Sequence, residues 1–301
     1  MADGILIMKP MEVTETHLVS STVPEADEAV YNPATAYALK ALVMWKHSVY
    51  ENTLADNTGN APDLHPDMWV RVRATNRWRL FDGSNSSRTQ QANSISYVFA
   101  PGMAVRMVAA LNVVSCSGVR VRLIDPVRGT VYDVTKSPGR RPIRSDPWEW
   151  CFGVWSQGLG LSLFENLPAY PLAQLHVDFT GGPSLAVGLL MYGQPRRFGL
   201  GVLRGGKVGR RIYSRREFND FGDVELVKRP SAKESSQEVL ILNTELDGVL
   251  EYLDSIDASI CLFVAGRSHS ANVVYGVFTS AGVLQSHRDH SLLQIEMLGA
   301  T

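Results

Sequence analysis

The sequence predicts a mainly β protein of antiparallel sheets, with one main helix near its end. Between Ile95 and Tyr192, strand-forming runs recur about every ten residues and are punctuated by Gly and Pro. Apolar and basic side chains alternate at Trp69-Val70-Arg71-Val72-Arg73 and at Val119-Arg120-Val121-Arg122-Leu123, as a strand with one solvated face would. A good helical period occurs from Thr244 to Ile256, where Leu246, Val249, Leu250, Leu253 and Ile256 share a face.

Taken in order, residues 1–29 join a β-forming run, Ile5-Leu6-Ile7-Met8, to prolines and an acidic cluster of Glu25, Asp27 and Glu28. So little apolar sequence cannot make its own core, and an extended arm packing on its own protein or on a neighbour is expected. Residues 30–82 read as a small aromatic-rich β module. Leu42 to Trp45 and Val49 to Thr53 flank Lys46-His47-Ser48 as a tight hairpin, Asp56 to Pro62 is a turn cluster, and Trp69 to Arg73 adds a strand.

Residues 83–195 read as an antiparallel β-sandwich, jelly-roll-like, entered through the polar stretch 83–94. Its strands are expected at Ile95–Ala100, Met103–Asn112, Val119–Ile124, Thr130–Val134, Leu172–Phe179 and Leu185–Tyr192. An aromatic knot of Trp148, Trp150, Phe152 and Trp155 is placed in its core or at a subunit contact. Residues 196–301 form an α+β unit. A Gly/Arg-rich segment, Arg196 to Arg216, precedes a helix capped by Thr244-x-x-Asp247 and strands at Ser259–Ala265, Asn272–Phe278 and Leu292–Met297.

A chain of 301 residues has room for two or three compact units. Its hydrophobic share of 45% and charged share of 20% are those of an ordinary globular protein. The net charge of −1 removes any global attraction to nucleic acid or an anionic membrane. No apolar run approaches the ~20 residues that span a bilayer, so no membrane insertion is expected. Cys116, Cys151 and Cys261 lie far apart without a Cys-x-x-Cys pattern, so reduced buried thiols are expected.

Catalytic patterns are missing where they would be sought. Gly266-Arg267-Ser268-His269-Ser270 lacks the closing glycine of a nucleophile elbow. Gly201-x-x-x-x-Gly206-Lys207 has the glycines and lysine of a phosphate loop, but Val208 stands where the Mg²⁺-binding hydroxyl belongs. On a strand, His287, Asp289 and His290 would not share one face, which favours a solvated turn over a metal site. No catalytic residue, metal or cofactor is assigned. A local basic cluster remains, with Arg204, Lys207, Arg210 and Arg211 in it, and a solvated glycine-rich loop or salt-bridged subunit interface is favoured over contact with DNA or an acidic partner ring.

One resemblance adds to this reading. Tyr31, Tyr37, Val43, Trp45, Val49, Tyr50, Trp69 and Asn76-Arg77-Trp78 are spaced as in the chitin-binding-like module of carbohydrate-binding families 5 and 12. Here Lys40-Ala41 replaces the usual Gly-Asp, His47 replaces a Gly, and Asn52 to Ala55 replaces the tryptophans that stack on sugar. Over most of the chain the order of pieces resembles tailed-bacteriophage virion proteins. The motifs concerned are Ser20 to Glu25, Asn76-Arg77-Trp78-x-x-Phe81-Asp82, Asp146-Pro147-Trp148-Glu149-Trp150, Leu167-Pro168-Ala169-Tyr170 and Asp220 to Arg229.

The resemblance implies a virion protein of the tail, neck, collar or fibre base, assembled in the host cytoplasm as a homo-oligomer beside other tail, neck or fibre proteins. It implies no enzyme. The alternatives are a receptor-binding protein that takes host-surface glycan on the module, and a glycan depolymerase. Tyr31, Trp45 and Trp69 have two uses, a sugar platform or subunit contact on one hand and the module's core on the other, and so small a unit favours the core.

Overall fold

A computed structural model describes residues 4–138, 148, 160–218, 224–266, 270–285 and 287–300. The fold is mainly β, with antiparallel sheets and, among the described residues, a ten-residue helix, Leu246–Ser255. The chain groups into two compact units, one of Glu12–Met191 and one of Met1–Met11 with Tyr192–Thr301. The first holds the expected module and nearly all of the expected sandwich. The second takes its opening strand from the expected arm.

Within Glu12–Met191, the module is a three-stranded antiparallel sheet of Leu42–Trp45, Ser48–Asn52 and Trp69–Ala74. The hairpin turn is two residues, Lys46 and His47, both at positive φ (43° and 63°), as the right-handed twist of the flanking strands requires. Next comes a six-stranded sheet whose order is Gly129–Lys136, Val114–Asp125, Gln174–Val187, Ser94–Phe99 and Leu18–Ser21, with Thr89–Gln90 on the third strand. Val119, Val121 and Leu123 point inward beside Leu175, Val177 and Phe179, all buried. Arg120 and Arg122 point outward and pair with Asp133 and Asp178. The alternation read in the sequence therefore matches a sheet with one buried face. A further three-stranded sheet orders Ser162–Glu165, Met107–Leu111 and Leu189–Gly193.

One detail differs from expectation. Gly181-Gly182-Pro183 falls inside a single long strand, Gln174–Val187, because the ladder absorbs it as register shifts between Thr180 and Ala186. Of the aromatic knot, Trp148 is exposed, while Trp150, Phe152 and Trp155 lie outside the described residues.

The second unit is an eight-stranded antiparallel sheet. Its order is Pro195–Phe198, Ile5–Met8, Cys261–Val264, Val273–Leu284, His290–Gly299, Ser231–Leu242 and Gly201–Val202, with Lys207–Ile212 also pairing on Ser231–Leu242. Ile5–Met8 thus lies inside the sheet and is buried on both faces, so the first apolar run packs on its own protein. The helix lays Val249 and Leu253 against Ile5, Ile7, Val239, Ile241, Phe263, Leu293 and Ile295, which form the core.

The expected capping box does not form. A 3-10 turn, Asn243–Glu245, precedes the helix, and Glu245 takes the cap position without a side-chain hydrogen bond. Leu250 is partly exposed and so leaves the expected apolar face.

Candidate functional site

The module's aromatics converge on one another. Tyr31 stacks on Tyr37 at 5.6 Å between ring centroids, and meets Trp45 and Trp69 edge-on at 5.4 and 5.9 Å. Tyr31 and Trp69 are only 7% and 2% exposed and form a small core with Val43. Trp45, Tyr37 and Tyr50 are half-buried around it. Each indole nitrogen is fixed, Trp69 Nε1 donating to the Asn60 carbonyl and Trp45 Nε1 to Asp63 Oδ1, both at 2.9 Å. The Lys46 ammonium on the same carboxylate holds Asp63 below the ordinary carboxylate range. The Tyr31 hydroxyl is buried without a partner, and burial pushes its pKa up.

Beneath the hairpin sits a polar knot absent from the sequence reading. Asn52 is fully buried, and its Nδ2 donates to the carbonyls of Tyr37, Ala38 and Leu54, while its Oδ1 accepts from Asn57. One carboxamide thereby ties the Tyr37–Ala38 segment to the loop that carries Leu54 and Asn57.

A second feature joins the acidic cluster to the module. Glu25 accepts from His47 Nδ1 at 2.8 Å and from Thr75 Oγ1 at 2.7 Å, and lies 3.5 Å from Arg77. Asp27 accepts from the Asn76 backbone and from Arg79, and Glu28 pairs with Arg73. The His47 ring stacks on Trp78 at 4.3 Å. His47 holds a left-handed turn position, φ 63°, while carboxylate and indole fix its side chain. The signal was present in the sequence as three acids before the module, Arg73 on its last strand, Trp69–Ala74, and Arg77 and Arg79 after that strand.

The basic residues are placed differently from expectation. Arg204 lies in a turn, but Lys207, Arg210 and Arg211 lie on the strand Lys207–Ile212 and not in a glycine-rich loop. Period two sends Arg210 to the face opposite Lys207 and Arg211, so the four do not form one patch. Arg211 pairs with Glu234 at 2.8 Å. Beyond it, Arg215–Phe218 pairs with Val224–Val227, so the chain continues as a two-stranded ribbon.

The remaining motifs carry no site. After Gly206 comes a strand, not the helix a phosphate loop needs. The carbonyls of His287, Arg288 and Asp289 are all held by Asn243, at 3.2, 2.8 and 3.2 Å. Among the described residues no group of three or more His, Cys, Asp or Glu could hold a metal. Arg267, Ser268 and His269 lie outside the described residues. Cys116 and Cys261 are free thiols, and burial pushes Cys261 up to about 11. No described helix is long and apolar enough to cross a membrane.

The chain is thus defined as a mainly β, antiparallel protein with an aromatic-cored module. Comparison with known proteins gives no matching family model, no matching curated sequence and no matching solved structure.

Proposed function

We propose that this chain is a non-enzymatic structural component of a tailed-bacteriophage particle, in the tail, neck or fibre-attachment region. It works there as a symmetric homo-oligomer beside other tail proteins. The phage assignment rests on the sequence resemblance. The observation that carries the structural role is the burial of Tyr31 and Trp69, which places the rings that would face a sugar inside the module's own core. Stacking on a sugar needs a flat exposed aromatic face, and these two offer none. Mass spectrometry and antibody-labelled electron microscopy of purified particles test the reading. A fixed copy number at one level of the tail is expected, and absence from purified particles overturns it.

A second reading, binding of host-surface glycan, is favoured by the half-exposed Trp45 and Tyr37. A glycan array with the full-length protein separates the two. Specific binding lost in Trp45→Ala supports the glycan reading. Release of reducing ends from envelope polysaccharide would instead mark an enzyme.

A further inference from the structure

The six-stranded sheet ends at Gly129–Lys136, which among the described residues pairs on one side only, with Val114–Asp125. Natural edge strands are guarded against further pairing by proline or by charged side chains. The eight-stranded sheet follows that rule: its outer strand Pro195–Phe198 carries a proline and two arginines, and Lys207–Ile212 a lysine and two arginines. Gly129–Lys136 does not. Thr130, Val131, Tyr132, Val134 and Thr135 are strong strand formers, and no proline interrupts them. Both charges on the strand are already engaged. Asp133 is held by Arg120 through its two oxygens, at 2.7 and 2.5 Å. The Lys136 ammonium donates to the Leu163 carbonyl at 2.6 Å and lies 4.9 Å over the Phe164 ring, so it is drawn away from the edge it would guard.

An open antiparallel edge fits an identical edge turned by a twofold axis, provided that opposed residues share a face and like charges do not meet. A twofold normal to the sheet keeps every side chain on its own face, so the strand can centre on one of its residues. The ladder is regular over Tyr132–Lys136, because its register shifts between Thr130 and Tyr132. Val134 is the middle of that stretch. With Val134 opposite its own copy, Asp133 faces the second copy's Thr135 and Tyr132 faces the second copy's Lys136, so no like charges are opposed. Centring on Asp133 would instead set two carboxylates against each other. Tyr132 and Val134 are half-buried opposite the buried Leu123 and Val121, so the join extends an existing apolar layer.

We infer that two copies of this chain join edge to edge through Tyr132–Lys136, antiparallel and centred on Val134, so that the six-stranded sheet runs on from one copy into the next. The contact is isologous and closes a pair. It deepens the proposed function and rests on its homo-oligomer.

Sedimentation velocity of the full-length protein tests it. Wild type is paired at about 100 μM, and Val134→Lys and Val134→Glu each weaken pairing about tenfold or more, because like charges meet on the axis. Mixing the two variants restores a heterodimer, since an ammonium then meets a carboxylate. Thermal melting shows whether each variant folds, and cross-linking decides the matter where one does not. Val134→Cys forms a disulfide between copies under mild oxidation, its opposed Cα atoms being about 4.5–5.5 Å apart. Thr135→Cys does not exceed the wild-type background, because its two copies are offset by about 7 Å along the strands. A monomeric wild type at about 100 μM, unchanged association in both charge variants, no recovery on mixing, or equal cross-linking at 134 and 135 each overturns the inference. A protein monomeric in solution yet present in particles sinks this contact alone. One that pairs through this edge yet is absent from particles sinks the virion reading alone.

Discussion

Glu25→Ala should destabilise the unit Glu12–Met191 substantially, although Glu25 lies outside the module's sheet. Its side chain is 14% exposed and meets three partners: His47, Thr75 and Arg77. Removing one member of a buried ionic group costs about 3–5 kcal/mol, because the partners keep their desolvation penalty. Here His47 and Arg77 are each about a third exposed, and Arg77 Nε still donates to the Val23 carbonyl at 2.7 Å. Water therefore recovers part of the loss, leaving about 2–4 kcal/mol. A unit of this size shifts by about 2–4 °C per kcal/mol, so the midpoint falls by about 10 °C. Glu25→Gln keeps an acceptor for Thr75 and loses roughly half as much. Differential scanning calorimetry reads both. A fall under about 2 °C for Glu25→Ala would mean that solvent already satisfies His47 and Arg77, and the clamp would contribute nothing.

Three further outcomes are expected. Trp69→Ala removes a buried ring packed on Tyr31 and Tyr37 and costs about 3–5 kcal/mol, enough to open the module; rapid limited proteolysis between Asp56 and Arg73 reports it, and wild-type resistance would refute the burial argument. Cys261, with its thiol held up to about 11, stays unalkylated by iodoacetamide at pH 8 and reacts once the protein is denatured. Peptide mapping reads this, and native labelling of Cys261 would contradict its burial. Gly276→Ala places a Cβ 2.0 Å from the Leu298 carbonyl, where Gly276 pairs with Gly299, and costs about 2–3 kcal/mol or more as the two strands part. A stable Gly276→Ala protein with unchanged amide exchange at Leu298 to Ala300 would deny that close approach.

Where burial is one-sided, the sequence was readable. Val119 to Leu123 alternates because its valines and leucine face a core and its arginines face solvent, and the turn after Asp125 is announced by its carboxylate, which accepts from the Val127 and Arg128 backbones. Lys207–Ile212 was unreadable as a strand because both its faces are exposed, so no period-two contrast is written into Lys-Val-Gly-Arg-Arg-Ile. The stretch around Gly181-Gly182-Pro183 misled in the opposite sense, since residues that usually end a strand here sit in an irregular part of one. At the candidate site, the aromatic cluster was legible by residue type and spacing. The Glu25 clamp was not, because its partners come from elements separated in sequence, and charge pairing across such distances leaves only matched numbers of acids and bases.

The placement of Ile5–Met8 governs how the protein can be made. Leu6 pairs with Arg197 and with Val264, so this strand must wait for those far later residues to be made before its ladder closes. The unit Glu12–Met191 is complete in the meantime and is in effect an insertion between two pieces of the other. Such long-range closure slows folding and leaves an apolar segment unshielded during synthesis. Shortening the chain by its first eleven residues should therefore damage the sheet formed mainly by its last hundred, while the inserted unit keeps its fold.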